Sequence, residues 1–240
     1  FITIRSLMTQ RKLVEIKRDF INNMTHELKT PLATISLAVD ALKSSKVNTD
    51  PKSVDYFSTI IKEENVRMNK HVETILQAAQ LDKKENELNK QAADIHDLIQ
   101  GVVDSFKLQL DSKPSQVQTQ LEANPSIIQV DEEHLLHVLS NLIDNAIKYS
   151  KNEIDIKIQT KTLNQKTLIS IQDKGIGMDA NAKKHIFEKF YRAHSGNVHD
   201  VKGYGLGMSY VKWVVDSHKG QIAVQSELGV GTTIEIILPN

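Results

Sequence analysis

The sequence predicts an α+β chain of two domains. The first is an N-terminal antiparallel helical hairpin that pairs with a second copy as a dimeric four-helix bundle. The second is a C-terminal α/β sandwich with helices on one face of a mixed sheet. Three observations point to this arrangement. Apolar residues recur at alternating spacings of three and four before residue 82, strand-like alternation begins near residue 117, and nine of the ten glycines follow residue 174.

Composition narrows the possible functions. The chain has 240 residues, which is enough for one large or two modest domains. Thirty basic residues balance thirty acidic ones, so net charge predicts no general attraction to nucleic acid or to an anionic membrane. Cysteine is absent, which excludes disulfides, thiolate metal sites and cysteine nucleophiles. No apolar run reaches the roughly 20 residues needed to span a bilayer.

The first helix is predicted from about residue 6 to residue 42. Its charged early part, residues 8–18, is either a solvated helical face or a lever that transmits an upstream signal. His26 falls outside the apolar stripe and is expected to face solvent, with Thr30 four residues on along the same face. A single helical histidine is usually a surface or packing residue, so His26 alone is weak evidence for function. The stripe consists of Ile21, Met24, Leu28, Ile35, Ala38 and Leu42.

A second helix is predicted from Pro51 to about Leu81, after a polar turn over residues 44–50. Asp50 is its expected cap, with Pro51 at the first helical position. Two heptad helices cannot hide both apolar stripes in a lone hairpin, whereas two copies can in a four-helix bundle. We therefore expect a homodimer through residues 6–82, followed by a charged linker near residues 82–87.

Helices and strands are mixed in the remainder of the chain. Asp131 is the expected cap of a long helix with glutamates in its first turn. The predicted helices cover residues 95–108, 132–149, 182–190 and 208–218, and the predicted strands cover residues 117–121, 127–130, 154–158, 168–173, 221–226 and 233–238.

A polar stripe of His137, Asn141, Asn145 and Lys148 lies along the otherwise apolar helix 132–149. Buried amides without partners are costly, so these side chains need hydrogen bonds. They either bond to nearby backbone or face a polyanionic ligand and its metal ion. An asparagine carbonyl is a hard oxygen donor that suits Mg²⁺.

Asp173 ends a predicted strand with the same parity as Ile169 and Ile171, so it is expected to point toward their buried side. A carboxylate there needs a buried donor such as an adenine amino group. Gly175 and Gly177 follow directly and let a ligand approach the backbone.

Glycines also open the last predicted helix. Gly203, Gly205 and Gly207 would leave backbone N–H groups open to a phosphate. The polar, unpatterned residues 191–202 before them are expected to form a lid over the ligand.

Phe20 and the run His-Glu-Leu-Lys-Thr-Pro-Leu at residues 26–32 resemble the phosphoacceptor motif of sensor histidine kinases of two-component systems. Five C-terminal stretches, in the same order, resemble the nucleotide boxes of the histidine-kinase catalytic domain, which is similar to the ATP-binding domains of gyrase, Hsp90 and MutL. These are residues 141–149 (asparagine box), 173–177 (first glycine box), 187–192 (phenylalanine box), and 203–207 and 229–232 (later glycine boxes).

The resemblance implies a dimerisation and histidine phosphotransfer domain over residues 1–85, with an incoming signalling helix, and a catalytic ATP-binding domain over residues 90–240. His26 would be phosphorylated by ATP and pass the phosphoryl group to an aspartate on the receiver domain of a response regulator. Glu27 is the implied base, although adjacent helical residues point about 100° apart and spacing does not guarantee its contact with His26. Thr30 is the implied group for positioning water in a reverse phosphatase reaction.

The implied cofactors are ATP and Mg²⁺. Asn145 would bind the metal, Asn141 would line the same site, and Asp173 would accept from the adenine amino group. The implied nucleotide-binding set is Asn141, Asn145, Lys148, Tyr149, Asp173, Gly175, Gly177, Arg192, Gly203, Gly205, Leu206, Gly207 and Thr232.

The resemblance also implies a cytoplasmic location, tethering to a membrane sensor outside this stretch, and no nucleic-acid partner. Whether one subunit phosphorylates itself or its twin stays open, because the sequence does not fix the handedness of the bundle. Two other functions use the same residues: a module that holds ATP without transferring phosphate, and a net phosphatase of the response regulator.

Overall fold

The computed structural model describes residues 2–80, 88–191 and 205–240; several side chains of the first two long helices, including those of residues 2–17, 26–27 and 73–80, lie outside the description. The chain divides into two compact units. We call Phe1–Gln80 the hairpin unit and Leu81–Asn240 the sheet unit. Among the described residues, no helix is both long enough and apolar enough to cross a bilayer.

The hairpin unit consists of two long helices joined by a single helical turn. These are α1 (Ile2–Lys43), α2 (Ser45–Asn48) and α3 (Pro51–Gln80), and α1 packs against α3. Asp50 caps α3 as expected, because its carboxylate accepts from the backbone N–H groups of Lys52 and Ser53 at 3.3 and 3.2 Å. The predicted polar turn over residues 44–50 is wrong in part. The carbonyl of Ser44 accepts from the N–H groups of residues 47 and 48 and so starts the helical turn α2.

The apolar stripe of α1 packs largely as the heptad spacing predicts. Met24 and Ala38 are buried, and Leu28, Ile35 and Leu42 are partly buried. Pro31 is also buried and completes an unbroken alternation of four and three residues from position 24 to position 42. The expectation for Ile21 is wrong for the single chain, in which its side chain is 53% exposed. A single hairpin therefore leaves the stripe uncovered at Ile21.

The sheet unit contains five helices and seven strands among its described residues. The helices are α4 (Ile95–Ser105), α5 (Lys107–Leu110), α6 (Glu132–Lys148), α7 (Ala180–His185) and α8 (Gly207–Ser217). The strands are β1 (Gln91–Asp94), β2 (Ser115–Leu121), β3 (Ile127–Val130), β4 (Ile154–Leu163), β5 (Lys166–Asp173), β6 (Gln221–Glu227) and β7 (Gly231–Pro239).

The main sheet has the strand order β2-β4-β5-β7-β6. Strand β2 pairs parallel with β4 and the other pairs are antiparallel, so the sheet is mixed as predicted. Burial alternates along the central strands, with Ile169 and Ile171 buried while Gln172 is exposed. Helices α6 and α8 pack on the sheet, α4 packs on α6, and their buried residues join one core with the inner face of the sheet. This confirms the helices on one face.

Two local elements differ from expectation. Strand β1 was not predicted, because Gln-Ala-Ala-Asp has no apolar alternation; its antiparallel pairing with β3 makes it a strand. The helix predicted over residues 182–190 is wrong in extent, since α7 ends at His185. Phe190 has φ +65°, a left-handed conformation that a right-handed helix cannot include.

Candidate nucleotide-binding site and phosphoacceptor helix

Helix α6 carries the predicted asparagines, and its first turn is held by Asp131. The carboxylate of Asp131 caps the helix by accepting from the N–H of His134 at 3.1 Å, and it also accepts from the N–H of Asn89 at 2.8 Å. The N–H of Asp131 donates to Nε2 of buried His218 at 2.9 Å. These bonds tie the start of α6 to the end of α8 and to the residues that precede β1.

The two asparagines of α6 use their amides differently. Asn141 donates through Nδ2 to the carbonyl of His137, one turn earlier, at 2.8 Å. Asn145 donates through Nδ2 to the thioether sulfur of Met208 on α8, at 3.4 Å. Both amides are therefore anchored by their nitrogen atoms. In an amide that donates through nitrogen, the carbonyl oxygen lies on the opposite branch, and it is the atom that can coordinate a hard cation.

Asp173 stands at the end of β5 with the parity that the sequence predicts, on the side of Ile169 and Ile171. Its carboxylate accepts from the N–H of Gly175 at 2.7 Å and from the backbone of Thr232. Burial nevertheless raises the pKa of Asp173 above its usual value, and these two hydrogen bonds only partly oppose the shift. The site thus holds a carboxylate that a further hydrogen-bond donor would stabilise.

The backbone closes tightly around Asp173. A Cβ at Gly175 would lie 2.6 Å from the carbonyl oxygen of Tyr149, and a Cβ at Gly177 would overlap the carbonyl of Glu227. Gly177 also has φ +66°, which favours glycine. The predicted glycine pair is therefore required by the packing of the loop itself, before any ligand is considered.

The start of α8 meets α6 directly. Gly205 has φ +68°, and a Cβ there would lie 2.6 Å from the backbone of Phe190. A Cβ at Gly207 would lie 2.7 Å from Oδ1 of Asn141. Leu206 is buried and precedes the first turn, whose N–H groups have no side-chain cap among the residues described. The close contact at Gly207 brings a helix N-terminus against the asparagine face of α6.

The end of α6 connects these parts to the loop after β5. The carbonyl of Tyr149 accepts from the N–H of Ile176 at 3.0 Å. Lys148 lies over the ring of Tyr149, with Nζ 5.7 Å from the ring centroid. Lys148, Tyr149, Asn145, Asp173 and the start of α8 therefore belong to one continuous region of the sheet unit.

Some predicted residues lie outside the described part of the chain. Arg192 and Gly203 fall in residues 192–204, as does most of the expected lid. Their proposed contacts with the nucleotide stay predictions.

Two contributors to this region were missed by the sequence analysis. Met208 holds the amide of Asn145, and Ser226 ties the glycine loop to β7. The Ser226 hydroxyl accepts from the N–H of Met178 and donates to the carbonyl of Gly231, both at 2.8 Å. Methionine and serine at these positions carry no sequence signal, because each acts through a partner brought close only by the fold.

The phosphoacceptor candidate lies in the middle of α1. The backbone of His26 is helical, while the side chains of His26 and Glu27 lie outside the description. The described positions one turn away on the same face, Asn22, Lys29 and Thr30, are all exposed. Position 26 therefore belongs to the exposed face of α1, opposite the stripe that contains Met24 and Pro31.

Comparison with known protein families covers both units. Residues 16–84 match the His Kinase A (phospho-acceptor) domain. Residues 130–240 match the histidine kinase-, DNA gyrase B- and HSP90-like ATPase family. This chain belongs to the sensor histidine kinases. They are phosphotransferase enzymes, and the resemblance drawn from the sequence motifs is confirmed.

The histidine kinase is similar along its whole length to curated sensor proteins. It is 45% identical over 239 residues to sensor protein RprX of Bacteroides fragilis (strain YCH46), covering 99% of this chain and 46% of RprX. It is 29% identical over 242 residues to sensor protein kinase WalK of Staphylococcus haemolyticus (strain JCSC1435), covering 100% of this chain and 39% of WalK. The chain thus spans less than half the length of these relatives.

Solved structures share the fold of this histidine kinase. Full-length ShkA, crystallised in complex with AMPPNP, aligns with a TM-score of 0.69 at 19% identity, covering 92% of this chain and 45% of ShkA. The histidine kinase AdeS of Acinetobacter baumannii aligns with a TM-score of 0.62 at 20% identity, covering 89% of this chain and 97% of that one. ThkA, solved in complex with the response regulator TrrA, aligns with a TM-score of 0.64 at 22% identity, covering 95% of this chain and 63% of that one.

Proposed function

We propose that this chain is the kinase core of a two-component sensor. The sheet unit binds ATP with Mg²⁺, and the γ-phosphoryl group is transferred to His26 and then to an aspartate on the receiver domain of a response regulator. The observation that carries the proposal is the carboxylate of Asp173, held by backbone donors beside the close-packed glycines of its loop although burial disfavours its charge. A buried carboxylate with a raised pKa is typical of a ligand-binding site.

The hydrogen-bonding capacity of Asp173 fits adenine. The exocyclic amino group of adenine is a donor, and Asp173 is an acceptor whose charged form needs one more donor. The lack of a side chain at Gly175 lets its backbone N–H reach the carboxylate of Asp173 while the Tyr149 carbonyl packs against the same glycine. The backbone of Thr232 donates to Asp173 from the neighbouring strand. An adenine nucleotide, with an amino group at C6, satisfies Asp173 better than a guanine nucleotide, whose C6 oxygen is an acceptor.

The neighbouring region fits the phosphates and the metal. The open N–H groups at the start of α8 and the ammonium of Lys148 suit polyanionic oxygens. Asn145 would contribute its carbonyl oxygen to Mg²⁺, with Asn141 beside it. When bound, the metal neutralises charge on the phosphates during transfer. We propose that Arg192, Gly203, Gly205, Leu206 and Gly207 complete this part of the site.

The phosphoryl transfer itself uses His26. An unprotonated ring nitrogen attacks the γ-phosphorus, the bond from that phosphorus to the bridging oxygen breaks, and ADP leaves. The proton on the other ring nitrogen must be held before attack and released afterwards, which is the role we propose for Glu27. The exposure of Asn22, Lys29 and Thr30 supports access to this face of α1.

The test is labelling with radioactive ATP at the γ position. Wild type is expected to acquire acid-labile, base-stable phosphate at one histidine, and His26→Gln is expected to acquire none. The matched control is His71→Gln, at the second histidine of the hairpin unit. Wild type that binds ATP without being labelled would make the chain a nucleotide-binding module and overturn the kinase proposal.

The nucleotide site has its own test. Asp173→Asn is expected to weaken ATP binding about 10- to 100-fold, because a charge-assisted hydrogen bond is lost. The control is Asp155→Asn on the adjacent strand, where the carboxylate pairs with exposed Lys174 at 2.6 Å. Equal ATP affinities for wild type, Asp173→Asn and Asp155→Asn would mean that Asp173 does not bind the nucleotide.

We also propose a reverse phosphatase activity on the response regulator, carried by Thr30. Its position one turn beyond His26 on the exposed face supports a role in placing a water molecule. Thr30→Ala is expected to lose dephosphorylation of the regulator while keeping labelling of His26. Loss of both activities would mean that Thr30 maintains the structure of this face of α1 and does not position a water molecule.

We propose that the working unit is a homodimer formed by the hairpin unit, tethered to a membrane sensor by sequence outside this chain. The exposed apolar side chains of α1 and α3 support the dimer, since a second hairpin covers them. The names of the relatives support a sensor role for the whole protein, and the membrane tether follows only from the resemblance of the motifs.

A further inference from the structure

The amide of Asn145 is anchored from a different helix. Its Nδ2 atom on α6 donates to the sulfur of Met208 on α8, 63 residues away in sequence, at 3.4 Å. Met208 is itself partly buried and packs against the hydrophobic core of the sheet unit. The position of the sulfur is therefore set by packing, and through the sulfur so is the orientation of the amide.

Asn141 provides an internal comparison one turn earlier. Its Nδ2 atom donates to the carbonyl of His137 on its own helix at 2.8 Å. This anchor depends on backbone that α6 supplies for itself. Among the residues that the structure describes, the amide of Asn145 is held instead by one side chain, that of Met208 on α8.

Orientation decides what an asparagine offers to a cation. The carbonyl oxygen is a ligand for Mg²⁺, whereas the amide nitrogen carries two hydrogens and repels a metal ion. A rotation of about 180° at the end of the side chain exchanges the two. An asparagine at a metal site therefore needs a partner that selects one orientation, as outer-shell partners do for other metal ligands.

We propose that Met208 is a positioning residue for Mg²⁺–ATP binding. Its thioether accepts from Nδ2 of Asn145 and thereby keeps the carbonyl oxygen available to the metal. The inference rests on the proposed function, in which Asn145 coordinates Mg²⁺. It adds that Mg²⁺–ATP binding depends on the sulfur of Met208 as a hydrogen-bond acceptor. An aliphatic side chain at this position has no acceptor atom.

The experiment compares Met208→Leu with Met208→Gln. Leucine keeps the apolar volume and removes the acceptor, whereas glutamine keeps the length and supplies an amide oxygen as acceptor. In Met208→Leu, the Mg²⁺ concentration for half-maximal ATP binding is expected to rise about three- to tenfold. This is a small change for the loss of a residue that orients a metal ligand, because a thioether is a weak hydrogen-bond acceptor. ATP binding in EDTA is expected to stay unchanged, and Met208→Gln is expected to restore the Mg²⁺ dependence of wild type.

A second measurement needs neither metal nor nucleotide. The side-chain NH₂ resonances of Asn145 in a ¹⁵N-labelled protein report on the acceptor, so Met208→Leu is expected to shift them while those of Asn141 stay in place. Met178→Leu is the matched methionine control, and its ratio of ATP affinities with and without Mg²⁺ is expected to equal that of wild type.

The possible failures are distinguishable. If wild type binds ATP with no dependence on Mg²⁺, the metal assignment of Asn145 is overturned and this inference with it. If wild type depends on Mg²⁺ but Met208→Leu leaves both the dependence and the Asn145 resonances unchanged, the proposed function stands and the role of Met208 is overturned. If Met208→Gln is impaired more than Met208→Leu, Met208 serves packing alone.

Discussion

The two units of this histidine kinase differ in how completely they bury their own apolar residues. Among the described apolar residues of the hairpin unit, only Met24, Pro31 and Ala38 are buried, while Leu37, Tyr56 and Val66 are each more than 60% exposed. The sheet unit instead has a continuous core that joins α4, α6, α8 and the inner face of the sheet. The sheet unit can therefore fold on its own core, whereas the single hairpin leaves apolar side chains exposed that a second copy would cover in the proposed dimer.

Glu64 adds a polar feature to this contrast. It lies on the half-buried stripe of α3 with its side chain 12% exposed, and its Oε1 atom pairs with Arg67 at 2.9 Å. Its Oε2 atom is buried without a hydrogen-bond partner among the described residues. An unsatisfied buried carboxylate oxygen is costly, so the single hairpin is incomplete in polar as well as apolar terms.

The largest expected effect tests the self-sufficiency of the sheet unit. Gly177→Ala places a Cβ against the carbonyl of Glu227 at φ +66°, so the sheet unit is expected to lose about 3 kcal/mol or more. The measurement is urea unfolding followed separately for each unit, and the transition of the hairpin unit should not move.

Gly229→Ala is the control for Gly177→Ala. Gly229 also has a positive φ, +81°, but nothing lies within 4 Å of its Cβ position. Backbone strain without a clash is expected to cost about 1 kcal/mol. Equal losses for the two variants would mean that strain, and not close packing, decides the stability of this loop.

The next effect tests the polar connection between α6 and α8. His218 is buried, with Nδ1 hydrogen-bonded to the carbonyl of Val214 at 2.8 Å and Nε2 accepting from Asp131. His218→Phe removes the acceptor for a buried N–H, so the sheet unit is expected to lose about 2 kcal/mol at pH 8.

The same site predicts a pH dependence. Burial lowers the pKa of His218 below its usual value of about 6.5, while the Val214 bond opposes the shift. The unfolded chain therefore binds the proton more readily, and the stability that neutral His218 contributes is complete above pH 6.5 and lost as pH falls through the folded-state pKa. The difference between wild type and His218→Phe should shrink in that range. A difference constant from pH 8 to pH 5 would contradict this assignment, and His185→Gln, at a more exposed histidine, is the control.

A smaller effect separates the two units directly. In the proposed homodimer, folding of the hairpin unit is coupled to association, so its transition is expected to gain about 1.4 kcal/mol for each tenfold rise in protein concentration. The transition of the sheet unit should not change. The measurement is thermal unfolding across a hundredfold range of concentration, and a hairpin transition independent of concentration would rule out the obligatory dimer.

The spacing of apolar residues predicted the helices and strands of both units because the buried residues follow that spacing. The heptads of α1 and α3, the cap at Asp131 and the parity of Asp173 are each decided within a few residues, so the sequence contains the information. Strand β1 was missed because only its pairing with β3 makes it a strand. The role of Met208 was missed for a similar reason, since a methionine becomes an acceptor for Asn145 only when α8 packs beside α6.

The smallest expected effect joins stability to function at Asp173. Burial raises the pKa of this carboxyl, so the folded protein without nucleotide holds the charged form at a cost. Asp173→Asn removes the charge and keeps a carbonyl acceptor for Gly175, so the nucleotide-free sheet unit is expected to gain about 1 kcal/mol at pH 8. The gain should shrink as pH falls through the raised folded-state pKa of Asp173 and be absent below the usual carboxyl value of 3.8, where the unfolded chain is protonated as well. Asp155→Asn, which breaks a surface ion pair, should give no gain. A loss of stability in nucleotide-free Asp173→Asn would mean that the carboxylate stabilises the fold and is not reserved for a ligand.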